Sequence, residues 1–151
     1  RLYAGGRERF RLELEESHDL RAESRPWSNL DADLLARAGG FSFTGRMSYD
    51  VYENDVDTAR AGLRYGWDGN FVAASNTFER TRVDTVTLEA RLRPFRPLTT
   101  YGRVWYDAAG GGLREFELRL DYRSQCWGLY VEYVSRPEEN RVMANISLAG
   151  L

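Results

Sequence analysis

The chain has 151 residues, 42% of them hydrophobic, and a net charge of −2, so it is long enough for one ordinary domain and has no charge excess that would favour nucleic acid as a partner. It contains no run of about 18 apolar residues, which excludes a membrane-spanning helix. One cysteine and one histidine are too few for an internal disulfide framework or a recognisable metal site, and we expect no cofactor.

Apolar and polar residues alternate in about ten segments along the chain, which predicts antiparallel strands. The segments are residues 7–15, 28–37, 41–49, 58–67, 71–80, 85–93, 98–107, 113–123, 126–134 and 141–151. The register of 71–80 is the least clear, because Asn76 falls on its apolar side. The pattern predicts an all-β fold, an antiparallel up-and-down meander of long strands.

The alternation is most regular in residues 113–134, and it separates an apolar face from a charged one. The predicted apolar, lipid-facing residues are Phe116, Leu118, Leu120, Tyr122, Trp127, Leu129, Val131 and Tyr133. The predicted charged, lumen-facing residues of this and earlier strands are Arg60, Arg64, Glu89, Arg91, Arg93, Glu117, Arg119, Asp121 and Arg123. One face suits hydrocarbon and the other suits water.

Connection lengths also alternate: short turns at residues 39–40, 68–70, 94–97 and 124–125 are separated by longer loops. Strands of about nine to eleven residues cross a bilayer when tilted, whereas strands of soluble proteins average nearer five or six. Tight turns at one end and longer loops at the other are typical of barrels of the outer membrane. We therefore expect a transmembrane β-barrel. A soluble lipocalin-like barrel with its apolar face inward is the alternative.

All 21 basic residues are arginine. Planar guanidinium groups suit pairing with carboxylates on neighbouring strands. The same lumen charges would also suit guidance of an anionic glycolipid, and the sequence leaves both roles open. The acidic loop 50–57 is interpreted as solvated, with a hard cation as the alternative.

Two stretches resemble a known family. Residues 113–151, with Tyr122-x-Ser124-x-Cys126-Trp127 as their most particular run and Ser-Leu-x-Gly-Leu at the end, resemble the end of the lipopolysaccharide-assembly outer-membrane protein, the LptD family. Residues 26–55 resemble an upstream stretch of its barrel. The resemblance implies that residues 1–151 are the C-terminal segment of a barrel domain in the outer membrane of a Gram-negative bacterium. The N-terminal periplasmic domain and first strands would lie outside this sequence.

In that family the barrel is plugged by a lipoprotein (LptE-like), receives lipopolysaccharide from a periplasmic transport bridge, and releases it sideways into the outer leaflet among the outer-membrane lipids. The resemblance thus implies a translocon component and no enzyme activity. By position, the last strand would form one lip of a lateral gate, through Val142, Ala144, Ile146, Leu148 and Gly150.

The family's cysteine position implies a disulfide from Cys126 to the absent periplasmic domain. Many relatives have two adjacent cysteines where this chain has Gln125-Cys126, so one bridge at most is expected. A free thiol is the alternative.

Two other functions remain open. One is a self-contained porin-like or adhesin barrel, and the other is an outer-membrane barrel hydrolase that depends on His18. Against the hydrolase, the consecutive residues Ser17, His18 and Asp19 cannot all converge on one reacting atom.

Overall fold

The computed structural model of this protein describes residues 1–18, 27–80 and 83–148. These ranges contain no helix with the length and hydropathy of a membrane span. Eleven strands form one antiparallel sheet in which each strand pairs with its neighbours in sequence, so the predicted all-β meander is confirmed. The strands are β1 (Leu2–Ala4), β2 (Arg7–Glu15), β3 (Leu30–Ala38), β4 (Phe41–Asp50), β5 (Asp55–Trp67), β6 (Asn70–Glu79), β7 (Val83–Phe95), β8 (Leu98–Asp107), β9 (Gly112–Arg123), β10 (Trp127–Arg136) and β11 (Glu139–Leu148).

The predicted bounds are correct for β2 and β8 and differ at several strand ends. The short strand β1 was not predicted, because three residues are too few to show an alternation. Strand β7 continues through Pro94 to Phe95, where the sequence predicted an end. A register shift between Leu92 and Phe95 accommodates the proline, which has no N–H to donate to the neighbouring strand.

Successive connections of a meander lie at alternate ends of its strands. Residues 39–40, 68–69, 96–97 and 124–126 are the short connections, and they alternate with 51–54, 80–82, 108–111 and 137–138. The connections between β6 and β7 and between β10 and β11 are exceptions to the predicted asymmetry, because neither is longer than 124–126. A loop was expected at residues 135–140, but β10 and β11 extend into it and leave a tight turn.

The chain divides into two compact units. The first unit is Arg1–Arg64 with Ser75–Asp84, and the second unit is Tyr65–Ala74 with Thr85–Leu151.

Burial in this protein falls mainly on the polar faces of the strands. Among the described side chains, Leu35 and Val134 are the only buried apolar ones, and the buried polar ones are Glu115, Glu117 and Glu132. Val134 stands opposite Glu117 and Arg141 on the neighbouring strands, so it shares their face. Most large apolar side chains are therefore not in a core.

Candidate functional site

Opposite charges stand across from one another on the polar face of the second unit. In the register of β7, β8 and β9, Glu89 is opposite Arg103, which is opposite Glu117. On the next strand, Glu132 is opposite Arg119. Seven residues of this face form a connected set of ion pairs, which we call the ion-pair ladder. They are Arg103, Arg119, Arg136, Arg141, Glu115, Glu117 and Glu132.

Glu115 is buried between two arginines from different strands. One of its carboxylate oxygens accepts a hydrogen bond from Arg103 on β8. The other accepts one from Nε of Arg136 on β10, at 2.8 Å. Such charge-assisted bonds are stronger than neutral ones. Glu115 therefore connects β8, β9 and β10 through side chains alone.

Glu132 on β10 is, like Glu115, a buried carboxylate close to two arginines from different strands. Nη2 of Arg141 donates to it at 3.3 Å, and Nε of Arg119 lies 3.6 Å from its second oxygen. The hydroxyl of Tyr130 donates to the same carboxylate. This second carboxylate extends the ladder to β11.

Glu117 is the most deeply buried residue of the ladder, with 2% of its surface exposed. Nη2 of Arg103 lies 3.2 Å from one carboxylate oxygen, and Arg119 contacts the other. Neither contact has the alignment of a hydrogen bond, so both oxygens remain unsatisfied among the described protein groups. The attraction at Glu117 is therefore mainly Coulombic, and both oxygens retain capacity for water.

Tyr101 links the ladder to β7. Its hydroxyl donates to Glu89 at 3.2 Å, and the guanidinium carbon of Arg119 lies 5.3 Å from the centre of its ring, a cation–π distance. Five consecutive strands, β7 to β11, are thus joined by polar side chains on one face. This arrangement can hold strands laterally, but it provides no nucleophile activated by a base.

The opposite face of β9, β10 and β11 forms a continuous apolar surface. Leu118, Tyr133 and Val142 stand in one row across these strands, and Leu120, Val131 and Ala144 stand in the next. All eight residues predicted to face lipid share this face. It is uncovered: Val142 and Ile146 are 69% and 70% exposed.

The predicted charged residues fall into separate groups. Glu117 and Arg119 belong to the ion-pair ladder, which Glu89 reaches through Tyr101. A second group lies beside the short turns of the second unit and comprises Arg91, Arg93, Asp121 and Arg123. Arg60 and Arg64 belong to the first unit, where Arg60 lines a different depression.

The residues predicted to form the lateral gate lie near the C-terminus, and the cysteine predicted to form a disulfide lies in the turn before β10. Val142, Ala144, Ile146 and Leu148 lie on β11, all ten residues of which are exposed, whereas Gly150 lies outside the described residues. Cys126 is exposed with a free thiol, next to Trp127. The ring of Trp127 packs 5.2 Å from that of Tyr122 at the base of the same turn.

The structure gives no support to a cation site in the acidic loop. The guanidinium of Arg80 lies 3.7 Å from the carboxylate of Glu53 and 3.2 Å from that of Asp55. These carboxylates are therefore already paired with a positive side chain. Across residues 1–18, 27–80 and 83–148, no three His, Cys, Asp or Glu side chains are grouped as metal ligands. His18 packs edge-on against Trp27, with ring centres 4.5 Å apart, and Asp19 lies outside the described residues.

The sequence-based prediction did not include Arg103, Glu115, Glu132, Arg136 and Arg141 in the site. The signal was present for Glu132, which alternates onto the charged side of residues 126–134. Its partners required the register between strands, which alternation within one strand does not contain.

Comparison with known proteins does not place the chain in a family. No protein-family model matches it, and no curated protein does. The structural observations that bear on function are therefore the two faces of the sheet.

Proposed function

We propose that this chain forms part of the wall of a β-barrel in the outer membrane, with its apolar face against lipid and the ion-pair ladder facing a watery lumen. The observation that carries the proposal is the inverted burial: the glutamates of the ladder are buried, while Leu118, Val142 and Ile146 on the other face are exposed. Exposure of apolar surface to water costs about 25 cal/mol per Å², whereas hydrocarbon removes that cost. A lipocalin-like barrel requires the opposite burial pattern.

Charge and aromatic placement support the same orientation. An arginine on the lipid side costs about 2–4 kcal/mol near the bilayer midplane, so a face with four ladder arginines suits a lumen. Aromatic pairs flank two short turns: Tyr65 stacks on Trp67 at 5.3 Å, and Tyr122 lies against Trp127. Such residues are typical of the membrane interface.

The finer part of the proposal concerns the cargo. The resemblance of residues 113–151 to the LptD family supports a conduit for lipopolysaccharide, working with a plug lipoprotein and a periplasmic bridge. In this role β11 is one lip of a lateral gate. Cys126, exposed beside a short turn, would pair with the periplasmic domain.

Cysteine labelling in intact outer membranes tests the orientation. In a Cys126→Ser background, single cysteines replace Leu120 and Ile146 on the apolar face and their sequence neighbours Asp121 and Asn145 on the polar face. We expect a charged, water-soluble maleimide to label the two polar-face positions quickly and the two apolar-face positions only after detergent is added. Equal rates on the two faces, or the reverse order, would contradict the proposal.

Depletion of the full-length protein in cells tests the cargo. We expect newly made lipopolysaccharide to accumulate in the inner membrane and periplasm and to become inaccessible to surface-modifying enzymes. Normal surface delivery would reject the lipopolysaccharide role. If solute permeability fell at the same time, the porin-like alternative would be favoured instead.

A further inference from the structure

We propose that a cleft beside the short turns of the second unit binds the phosphoryl group of an amphiphile. Four arginines line it, Arg91, Arg93, Arg96 and Arg123, with Phe95 among them. Its volume is about 490 Å³, within the range of about 300–1,000 Å³ usual for small-molecule sites. We call it the arginine cleft.

The arginine cleft has cationic groups that the protein leaves unpaired. Its two carboxylates are Asp68 and Asp121, against four guanidinium groups. Asp121 is already paired with Arg123, at 3.0 Å from Nη2. Among the described residues, no ion pair joins Arg91, Arg93 or Arg96 to a carboxylate. The ion-pair ladder differs in this respect, because each of its arginines has a glutamate partner.

The turn between β5 and β6 lies against both the backbone and the side chain of Arg93. Asn70 accepts a hydrogen bond from the backbone N–H of Arg93 through its side-chain oxygen, at 2.6 Å. A Cβ at Gly69 would lie 3.0 Å from Nη1 of Arg93, so the absence of a side chain lets the guanidinium lie against the turn. The backbone of Arg93 is therefore bonded to this turn, and its guanidinium lies beside Gly69 at the cleft.

The geometry favours a phosphoryl group with an apolar attachment. Planar guanidinium forks form paired hydrogen bonds with phosphate oxygens. The three unpaired arginines together with Asp68 give a net charge of about +2, opposite to the charge of about −1.5 to −2 that a phosphate monoester carries at pH 7. Phe95, 54% exposed, and the half-buried Pro97 add apolar surface to the lining. Inorganic phosphate and an acidic peptide would leave that surface unused.

The assignment of the amphiphile to lipopolysaccharide rests on the proposed function, whereas phosphoryl binding does not. In that function the short turns lie on the periplasmic side, where a phosphorylated glycolipid would enter. The arginine cleft would then hold its headgroup at the start of the polar face.

Calorimetric titration of the full-length protein in nonionic detergent tests the cleft. The probe is hexyl phosphate, compared with inorganic phosphate, hexyl glucoside and a short acidic peptide. The variants are Arg93→Gln, Arg96→Gln and the double substitution. Arg37→Gln, an exposed arginine near the turn at 39–40 of the first unit, is the matched control.

We expect saturable binding of hexyl phosphate that weakens about tenfold with each cleft substitution, as for loss of one charge-assisted hydrogen bond, and that Arg37→Gln leaves unchanged. Inorganic phosphate should compete only at higher concentration. Absence of binding, equal loss in the control, or equal or tighter binding of inorganic phosphate, hexyl glucoside or the peptide would overturn the proposal. Unchanged heat-modifiable migration of the variants in detergent gels establishes that they fold.

The two proposals fail in different experiments. Normal lipopolysaccharide delivery after depletion, together with intact hexyl phosphate binding, would reject the transport role and leave the cleft. The reverse combination would reject the cleft alone.

Discussion

The buried glutamates of the ion-pair ladder are the individual residues on which the polar face depends most. Each lies close to two arginines, so removal of one carboxylate weakens the neutralisation of two positive charges at once. Removal of one partner of an ion pair is more costly than replacement of both, because the remaining charge is less well compensated.

We predict that Glu117→Gln destabilises the folded protein. The amide keeps the shape of the carboxylate but removes the charge between Arg103 and Arg119. Because these arginines are 37% and 45% exposed, water screens part of the effect, and we expect a loss of about 1–3 kcal/mol in the free energy of unfolding. Urea titration of the full-length protein in detergent measures it. Glu138→Gln, in the exposed turn after β10, is the control and should change little. Equal stability of the two variants would contradict the role of Glu117.

We predict that Gly69→Ala is destabilising for two reasons. Gly69 has φ of +79°, which costs a residue with a Cβ about 1–2 kcal/mol. The new Cβ would also press against the guanidinium of Arg93. Gly112→Ala is the matched control, because its Cβ would meet no atom within 4 Å and its φ is not positive. The same urea titration should give a lower free energy of unfolding for Gly69→Ala than for Gly112→Ala. Similar values for the two variants would contradict the prediction.

At the scale of strands, the sequence predicts which residues share a face better than it predicts where a strand ends. Side chains alternate with a period of two in any strand, so the faces of β8, β9 and β10 follow from the order of their residues. The ends depend on turn chemistry. The turn at 137–138 is tight although all of residues 135–140 except Pro137 are polar, and a polar strand end cannot be distinguished from a loop by alternation.

We predict that cysteines at directly opposed positions of β10 and β11 form a disulfide. Tyr130 and Asn145 are such a pair, and opposed residues of antiparallel strands lie about 4.5–5.5 Å apart, within the reach of a disulfide. In a Cys126→Ser background, Tyr130→Cys with Asn145→Cys should cross-link on copper-catalysed oxidation. Tyr130→Cys with Met143→Cys, offset by two residues, should cross-link far less. Nonreducing gels measure both, and faster cross-linking of the offset pair would show a different register.

At the scale of the whole molecule, the sequence predicted the all-β meander but not the partners within its polar face. Glu117 and Arg119 were recognised as charged-face residues, whereas their contacts with Arg103 and Glu132 depend on how three strands, β8, β9 and β10, are aligned. The arginine cleft depends on the turn at 68–69 meeting β7, two segments that are distant in sequence. Contacts of this kind are set by register and turn geometry together.

We predict that residues 1–151 expressed alone do not form a stable monomer in a bilayer. Strands β1 and β11 stand at the two ends of the sheet, and each pairs on one side within the described residues. Lipid cannot satisfy the backbone N–H and C=O groups of an open edge. Under the proposed function, in which further strands close the barrel, purified residues 1–151 should show no heat-modifiable migration, whereas the closed barrel should show it. A heat-modifiable band from the piece alone would contradict the prediction.

The positive and negative charges of the ion-pair ladder nearly cancel, and this affects how strongly an anion would interact with that face. Four guanidinium groups face three carboxylates, and every one of them is already engaged. An anion that moves along this face would meet few unpaired positive charges. The arginines and glutamates neutralise one another, so their combined electrostatic field is weak beyond contact distance. By contrast, the arginine cleft beside the short turns has three arginines that, among the described residues, form no ion pair with a carboxylate.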